Sequence, residues 1–319
     1  MAVMTHPHHE QPRHEHSGHE HARHEHAPAG HSHDDLTSES QGADLLDLDG
    51  EVLGAYWGRA LDRVLAAVTP ALATAQQSGA RARVVDLGAG TGTGALGLAS
   101  RLADAGIDAE VVAVDVSEPS LARVAAKAQA AGLGDRVRTL VADLDQGWPD
   151  LAPVALTWAS MSLHHLADPV RSLAELRRIT SPGGLLAVSE FVEPVRFLPE
   201  DLGIGRPGFE GRALEVLGSV HAEALPHLGA SWAALLAEAG WTVVDEHDVV
   251  IDERSPEHPL AGAYARAWFA RLAHGLDGRL DAGDERTLAG LLDDSGPHRL
   301  LRSADLHLHG TRTLTIARA

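Results

Sequence analysis

The middle of the chain alternates short apolar runs with longer segments of helical period. Five runs predict buried strands, at residues 83–86, 110–116, 137–142, 154–160 and 185–192. Segments with apolar residues three and four positions apart separate most of these runs, and they begin after capping residues such as Ser117 and Asp168. Strands that alternate with helices at this spacing indicate a parallel sheet covered on both faces.

The pattern changes toward both ends of this region. Residues 45–77 have a helical period, and Pro70 is a point where the segment can divide into two helices. Near the end of the chain, residues 241–251 and 306–317 alternate between polar and apolar side chains. These two runs predict an antiparallel pair of strands at the edge of the sheet.

The same pattern divides the chain into three parts. Residues 1–35 form a His-rich tail with too few apolar residues to offset the entropy of ordering, so we expect it to be disordered. Residues 36–80 are an N-terminal helical segment, and residues 81–319 are a single α/β domain. Two stretches, at about 194–230 and 253–304, interrupt the strand pattern and are predicted to be helical insertions.

Composition excludes several classes of function. The chain has 319 residues and no cysteine, which excludes disulfides, thiolate metal sites and a cysteine nucleophile. A formal net charge of −19 repels phosphate backbones, so no nucleic-acid partner is expected. The apolar runs are too short to span a membrane and the first residues are polar, so we expect a cytoplasmic protein without a membrane partner.

The histidines are concentrated at the start of the chain. Eleven of the 21 lie before Asp34, interspersed with Glu, Arg, Pro and Gly. Neutral imidazoles bind divalent metals, but a low-complexity tail with incidental metal affinity is the better interpretation. The sequence predicts no dedicated metal site, and nothing in it sets the oligomeric state.

The clearest motif is a glycine-rich turn. Residues 86–92 read Asp-Leu-Gly-Ala-Gly-Thr-Gly, directly after the first predicted strand and before a helix. Glycines let the backbone turn tightly, and a helix N-terminus favours an anionic group. Residues 90–95 also match the dinucleotide pattern G-x-G-x-x-G/A, so the turn alone leaves a nicotinamide cofactor open.

Three aspartates narrow the choice of ligand. Asp86, Asp115 and Asp143 close the first three predicted strands, 29 and 28 residues apart. Because parallel strands place their carboxyl ends at one edge, all three side chains are expected beside the ligand-binding crevice. Asp115 suits ribose hydroxyls and Asp143 an adenine amino group, whereas a nicotinamide dinucleotide leaves Asp86 and Asp143 without a role.

These residues resemble the motifs of a known family. Residues 84–92 resemble motif I of the class I S-adenosylmethionine-dependent methyltransferases, residues 114–117 the ribose-binding motif II, and residues 141–144 the adenine-binding motif III. Residues 158–166, followed by 178–184, are similar to the signature of the ubiquinone/menaquinone-type subgroup.

The resemblance implies a fold, a cofactor and a reaction. It implies a Rossmann-like seven-stranded sheet with helices on both faces, an antiparallel last strand and inserted helical segments that form a lid. The implied cofactor is S-adenosylmethionine, and the implied reaction is methyl transfer to oxygen or carbon of a small organic acceptor. The residues that would bind the cofactor are Asp86, Gly88, Ala89, Gly90, Asp115, Val116, Asp143, Leu144, Ala159 and Ser160.

Two adjacent histidines are the candidates for a catalytic base. A base is needed only when the acceptor carries a proton, as a hydroxyl does. His164 and His165 follow the fourth predicted strand, and imidazole has a suitable pKa, although one or both rings can instead be structural. Residues 159–162, Ala-Ser-Met-Ser, lack the Asn/Asp-Pro-Pro-aromatic signature of amine and DNA-adenine methyltransferases, which argues against such acceptors.

Two alternatives remain from the sequence. One is a nicotinamide-dependent oxidoreductase on a similar sheet. The other is a catalytically idle protein that binds S-adenosylmethionine and carries a metal-binding His tail.

Overall fold

The fold is built on one seven-stranded sheet. The computed structural model describes residues 33–77, 81–151, 153–254, 258–300 and 305–319, so the first 32 residues of the predicted disordered tail lie outside the described part of the chain. The strands are β1 (Ala82–Leu87), β2 (Ala109–Asp115), β3 (Val137–Val141), β4 (Val154–Ser160), β5 (Thr180–Arg196), β6 (Thr242–Arg254) and β7 (His307–Arg318).

The order of the strands is β3-β2-β1-β4-β5-β7-β6. Strands β1 to β5 are parallel, and β7 runs antiparallel between β5 and β6. The predicted antiparallel pair at the sheet edge is therefore confirmed, as is the Rossmann-like fold class. The strand order reverses between β1 and β4, which is where ligands bind in sheets of this kind.

Helices cover both faces of the sheet, as predicted. They are α1 (His33–Val52), α2 (Gly54–Gln77), α3 (Thr93–Asp104), α4 (Glu118–Ala130), α5 (Pro169–Ile179), α6 (Phe209–Ala224), α7 (Trp232–Glu238), α8 (Ala261–Gly275) and α9 (Ala282–Leu292). Side chains from α2, α3 and α8 belong to the larger core cluster, and those from α5 and α7 belong to a second cluster on the other face.

The N-terminal helices divide at a different point from the predicted one. Pro70 lies inside α2, and the break falls between Val52 and Gly54. The apolar stripe of α2 explains this, because Val68 and Leu72 are both fully buried on either side of Pro70, and their packing holds the helix together across the proline. Helix α1 begins at His33, so the last three residues of the predicted tail are helical.

Both predicted insertions contain helices, α6 in the first and α8 and α9 in the second. Each begins later than expected, because β5 continues to Arg196 and β6 to Arg254. The polar side chains at these strand ends hide the alternating pattern, while pairing with β7 keeps the backbone extended.

Aromatic side chains of the two insertions pack together in the larger core. Tyr264 and Phe269 of α8 pack against Phe197 in the larger core, with ring centroids 5.3 and 5.9 Å apart. Trp232 of α7 lies in the second cluster, on the opposite face of the sheet. The contacts of Phe197 with Tyr264 and Phe269 therefore join the two insertions, whereas Trp232 lies between them in the sequence.

Candidate active site

The carboxyl ends of four strands meet at one edge. Leu87 of β1 is opposite Val114 of β2 and Ala159 of β4, and Asp115 is opposite Val141 of β3. The segments that follow these strands contain most of the residues singled out from the sequence. The structure thus brings the glycine turn, the strand-end aspartates and the histidine pair to a common edge.

Asp115 fixes the shape of the glycine turn. Its Oδ2 accepts a hydrogen bond from the Gly90 N–H at 2.8 Å, and its Oδ1 accepts one from the Ser117 N–H at 2.9 Å. Gly90 has φ 52° and Gly92 has φ 93°, values that favour glycine. Each carboxylate oxygen retains a further lone pair, so Asp115 can hold the turn and accept ligand hydroxyl groups at the same time.

Protein atoms lie close to two glycines of the turn. A β-carbon at Gly88 would overlap the side chain of Ser162, which follows β4. A β-carbon at Gly90 would lie 2.9 Å from Cδ1 of Leu46, on α1. Glycine at these positions therefore permits close packing of the β4 segment and of α1 against the turn.

Asp86 is buried beneath the turn. Its Oδ2 and the neighbouring Trp158 Nε1 have no hydrogen-bond partner among the described residues. Burial raises the pKa of Asp86 to about 8, with a smaller contribution from the charge of Asp115, although the Ala95 N–H donates a hydrogen bond to the carboxyl group and opposes the shift. Asp86 is thus mostly protonated at neutral pH in the ligand-free protein.

The other end of the predicted cofactor site is open. Asp143 is exposed, and its Oδ1 accepts a hydrogen bond from the Asp145 N–H at 3.0 Å. Val116, directly after Asp115, leaves 65% of its surface exposed, whereas Leu144 is half-buried. An exposed valine beside two strand-end aspartates offers an apolar surface that a flat ring can cover.

His164 forms a buried pair with a residue that sequence reasoning missed. His164 Nδ1 lies 2.7 Å from Oε2 of Glu190, and their side chains are only 6% and 3% exposed. Glu190 Oε1 also accepts hydrogen bonds from the Ser162 and Leu163 N–H groups, at 3.1 and 3.0 Å. With Nδ1–H donated to Glu190, the ring presents Nε2 as an acceptor.

A signal for Glu190 is present in the sequence. It is a glutamate in the apolar run that forms β5, and an ionisable side chain at a buried strand position needs a partner. The partner could not be found from spacing, because His164 is 26 residues away on the neighbouring strand end.

His165 has a different environment. Its ring centroid is 4.2 Å from that of His164, and more of its surface is exposed. Desolvation lowers the pKa of His165, and the nearby charges of His164, Arg271 and His221 lower it further, against the opposing charge of Glu190. His165 therefore faces the insertions, since His221 lies on α6 and Arg271 on α8.

A second polar cluster lies on the α2 side of the β5 end. Tyr56 Oη is 2.5 Å from Ser189 Oγ, and the Arg312 guanidinium stacks 4.6 Å from the centre of the Tyr56 ring. Arg312 is 4% exposed, and Asp49 of α1 accepts a hydrogen bond from its Nη2 at 2.8 Å. Nε and Nη1 of Arg312 have no partner within the described segments.

The segment after β4 contains an unusual backbone conformation. Met161 has φ 57°, the only positive value at a non-glycine position in the described chain. Its N–H donates to the Ser189 carbonyl at 2.9 Å, which fixes the segment against β5. Such conformations are retained where surrounding contacts enforce them, and they are concentrated at functional sites.

Comparison with known proteins identifies the family. A family model for a methyltransferase domain matches residues 84–184. The 27-O-demethylrifamycin SV methyltransferase of Amycolatopsis mediterranei is 35% identical over 156 residues, covering 47% of this chain and 55% of that protein. The demethylmenaquinone methyltransferase of Thermus thermophilus is 43% identical over 113 residues, covering 35% of this chain and 48% of the relative.

A third relative extends further. The demethylmenaquinone methyltransferase of Beutenbergia cavernae is 36% identical over 191 residues, covering 53% of this chain and 70% of its own length. The chain therefore belongs to the class I S-adenosylmethionine-dependent methyltransferases. Within that family it groups with the ubiquinone/menaquinone-type proteins. It spans about half the length of the first two relatives that it matches.

The residues at the sheet edge fit the cofactor of this family, S-adenosylmethionine. The positive-φ glycines form a tight turn at a helix N-terminus, and Asp115 has spare acceptor capacity. Asp86 has an unpartnered buried oxygen below the turn, and Val116 presents an exposed apolar surface. Family membership confirms the predicted cofactor and does not favour the nicotinamide-dependent alternative.

Two further kinds of feature are absent from the described segments. No helix there is long and apolar enough to cross a membrane. No group of three or more His, Asp or Glu side chains there is arranged to hold a metal ion. The histidines of residues 1–32 lie outside the described part of the chain.

Proposed function

We propose that this protein transfers a methyl group from S-adenosylmethionine to a small organic acceptor, most directly to an oxygen atom. The observation that carries the proposal is the juxtaposition of two features. The glycine turn follows β1, and the His164–Glu190 pair lies at the ends of the neighbouring strands β4 and β5. A cofactor turn next to an oriented imidazole suits the methylation of a hydroxyl group.

The cofactor-binding residues are those of the sheet edge. Asp115 would accept hydrogen bonds from the ribose, while Asp143, Val116 and Leu144 would surround the adenine. Gly88, Ala89, Gly90 and the Asp86 carboxyl group would lie along the methionine portion, and Ala159 and Ser160 beside the methyl group. S-adenosylmethionine supplies an activated methyl group, so the protein must hold the acceptor in line and exclude water.

His164 is the better placed of the two candidate bases. Glu190 holds the His164 ring in one orientation, with Nε2 as the nitrogen that can accept a proton. Nε2 would take the proton of an acceptor hydroxyl as the methyl group arrives. His165 has no carboxylate partner of this kind in the described structure. Its lowered pKa keeps it neutral at physiological pH, and we assign it to contacts with α6 and α8.

The polar cluster on the other side of β5 supports an oxygen acceptor. The two unpartnered nitrogens of Arg312, Nε and Nη1, suit a negatively charged oxygen, which an acceptor hydroxyl becomes when it is deprotonated. The names of the relatives agree with a small-molecule acceptor, since one acts on 27-O-demethylrifamycin SV and others on demethylmenaquinone. Carbon methylation is the second candidate because demethylmenaquinone methyltransferases are among the relatives.

The test is product formation from labelled cofactor. Purified protein is incubated with isotopically labelled S-adenosylmethionine and a metabolite extract, and mass spectrometry then finds products that carry the label. A labelled small molecule that is absent with His164→Ala supports the proposal. Absence of any labelled product, with the cofactor bound, would instead favour the catalytically idle alternative. The cytoplasmic location and metal binding by the His-rich tail stay predictions.

A further inference from the structure

Helix α1 lies across the proposed cofactor turn. Leu46 of α1 contacts Gly90, and a β-carbon at Gly50 would overlap the side chain of Thr93, the first residue of α3. The helix therefore covers the segment between β1 and α3. A cofactor that lies along this turn cannot enter or leave freely while α1 is in this position.

One side of the C-terminal half of α1 is attached on the cofactor side. Asp47 accepts hydrogen bonds from Lys127 Nζ and from Arg123 Nη1, the second at 3.1 Å, and Lys127 also donates to the Thr91 carbonyl at 3.0 Å. Asp44 pairs with Arg123 at 2.6 Å. Partial burial opposes ionisation, but the hydrogen bonds from Lys127, Thr91 and Arg123 hold the pKa of Asp47 below its ordinary value.

The opposite side of α1 is attached on the acceptor side, through Asp49, two residues after Asp47. Its Oδ1 accepts from Trp57 Nε1 at 3.1 Å, and its Oδ2 accepts from Tyr264 Oη and Arg312 Nη2, both at 2.8 Å. These donors belong to α2, α8 and β7, so a single carboxylate of α1 joins three elements. Its side chain is 15% exposed and that of Arg312 is 4% exposed, which makes this the more buried of the two attachments.

We propose that Asp49 is a positioning residue that seats α1 over the cofactor turn, and that α1 must release Arg312 before the cofactor can leave. The inference rests on the proposed cofactor site. Because a charge-assisted, largely buried hydrogen-bond set is stronger than a partly exposed ion pair, Asp49 contributes most to holding α1 in place, and Asp47 contributes less. Asp49 then links release of the cofactor to exposure of the Arg312 guanidinium on the acceptor side.

The experiment measures dissociation of S-adenosylhomocysteine from the full-length protein. Radiolabelled ligand is chased with excess unlabelled ligand in the wild type, Asp49→Asn, Asp47→Asn and a matched control, Asp62→Asn. Asp62 of α2 is exposed and forms an ion pair with Arg101 of α3 at 2.6 Å, in which no α1 residue takes part. We expect dissociation at least about tenfold faster for Asp49→Asn, a few-fold faster for Asp47→Asn, and unchanged for the control.

A second readout follows the opening of helix α1 itself. Hydrogen exchange of the α1 amides at residues 44–52 should slow when S-adenosylhomocysteine binds to the wild type, and should slow less in Asp47→Asn. Asp47→Asn leaves no deeply buried charge unpaired, so it keeps the test valid if Asp49→Asn does not fold. A merely structural Asp49 would lower thermal stability without changing either readout.

The outcomes separate the two proposals. Equal dissociation rates in the wild type, the folded α1 variants and the control, with α1 exchange insensitive to ligand, would overturn the role of Asp49 and leave the proposed function intact. Failure of the wild type to bind S-adenosylhomocysteine would overturn the proposed function and this inference together.

Discussion

At the scale of single residues, the sequence identifies the polar groups at the strand ends but not their partners. Asp86, Asp115 and His164 stand out because each directly follows or closes an apolar run. Glu190 stands out only as a glutamate in an apolar run. Its partner, and the role of Arg312, depend on contacts across strands far apart in the sequence. A chemical group can be predicted from local pattern, whereas the hydrogen-bond partner that orients it depends on tertiary structure.

Asp86 gives a prediction about the pH dependence of stability. Its folded pKa of about 8 lies above its ordinary value of 3.8, so the folded state retains a proton that the unfolded state releases. The stabilisation of the folded state by this retained proton is fully present below pH 4 and is lost as the pH rises through 8. In Asp86→Asn this titration is absent, so the unfolding free energy of the wild type minus that of the variant should fall between pH 4 and 8.

Urea denaturation of both proteins at several pH values, without ligand, measures this difference. A difference that is constant over that range would show that Asp86 titrates normally and that its burial does not control its charge.

Glu190 gives a prediction about catalysis. Glu190→Gln removes the carboxylate that fixes the orientation and the tautomer of the His164 ring. The amide N–H₂ of the glutamine can then face His164 Nδ1 instead. We expect kcat to fall by about 10²-fold or more, a loss typical of an impaired general base, with little change in the affinity for S-adenosylhomocysteine. Steady-state kinetics on the acceptor identified by mass spectrometry, with calorimetry, measure both quantities.

Glu193→Gln is the matched control, because Glu193 lies on the same strand and is exposed. His165→Ala should reduce kcat less than His164→Ala. If Glu190→Gln retained full kcat while His165→Ala lost it, the assignment of the two histidines would be reversed.

At the scale of elements, the alternation of strands and helices is readily predicted because each buried run is bounded by glycine or by a capping residue. Ser117 and Asp168 are N-cap residues, and their side chains accept hydrogen bonds from the backbone N–H groups three residues later. The break before α2 and the ends of β5 and β6 are harder to predict from the sequence, because core packing and pairing with β7 determine them. The position of α1 over the turn is a tertiary property that no local pattern contains.

At the scale of the whole molecule, composition limits the expected classes of function and the motifs at the sheet edge indicate the family. The net charge of −19 and the absence of cysteine limit the chemistry from the outset. The glycine turn and the three strand-end aspartates then select the cofactor. Composition and motifs do not identify the acceptor, because the two insertions follow no strand period and have no signature of their own.

The His-rich segment gives a prediction at the same scale. Residues 1–32 contain few apolar side chains, so their removal takes away little buried surface. A variant that begins at His33 should keep the melting temperature and the affinity for S-adenosylhomocysteine of the full chain. Thermal unfolding in the presence of a chelator, followed by calorimetry, measures both. A drop of several degrees would mean that this segment contributes to the fold.

The central claim is that the carboxyl edge of the sheet binds S-adenosylmethionine through the glycine turn and Asp115. Calorimetric titration with S-adenosylhomocysteine tests it most directly, in the wild type, in Asp115→Ala and in Asp108→Ala, an exposed residue at the other end of β2.

We expect binding in the micromolar range for the wild type and the control, and no binding of NAD. Asp115→Ala should lose about 1–3 kcal/mol, because it removes the ribose acceptors and frees the Gly90 and Ser117 N–H groups that shape the turn. Unchanged affinity in Asp115→Ala, or binding of NAD in place of S-adenosylhomocysteine, would contradict the account.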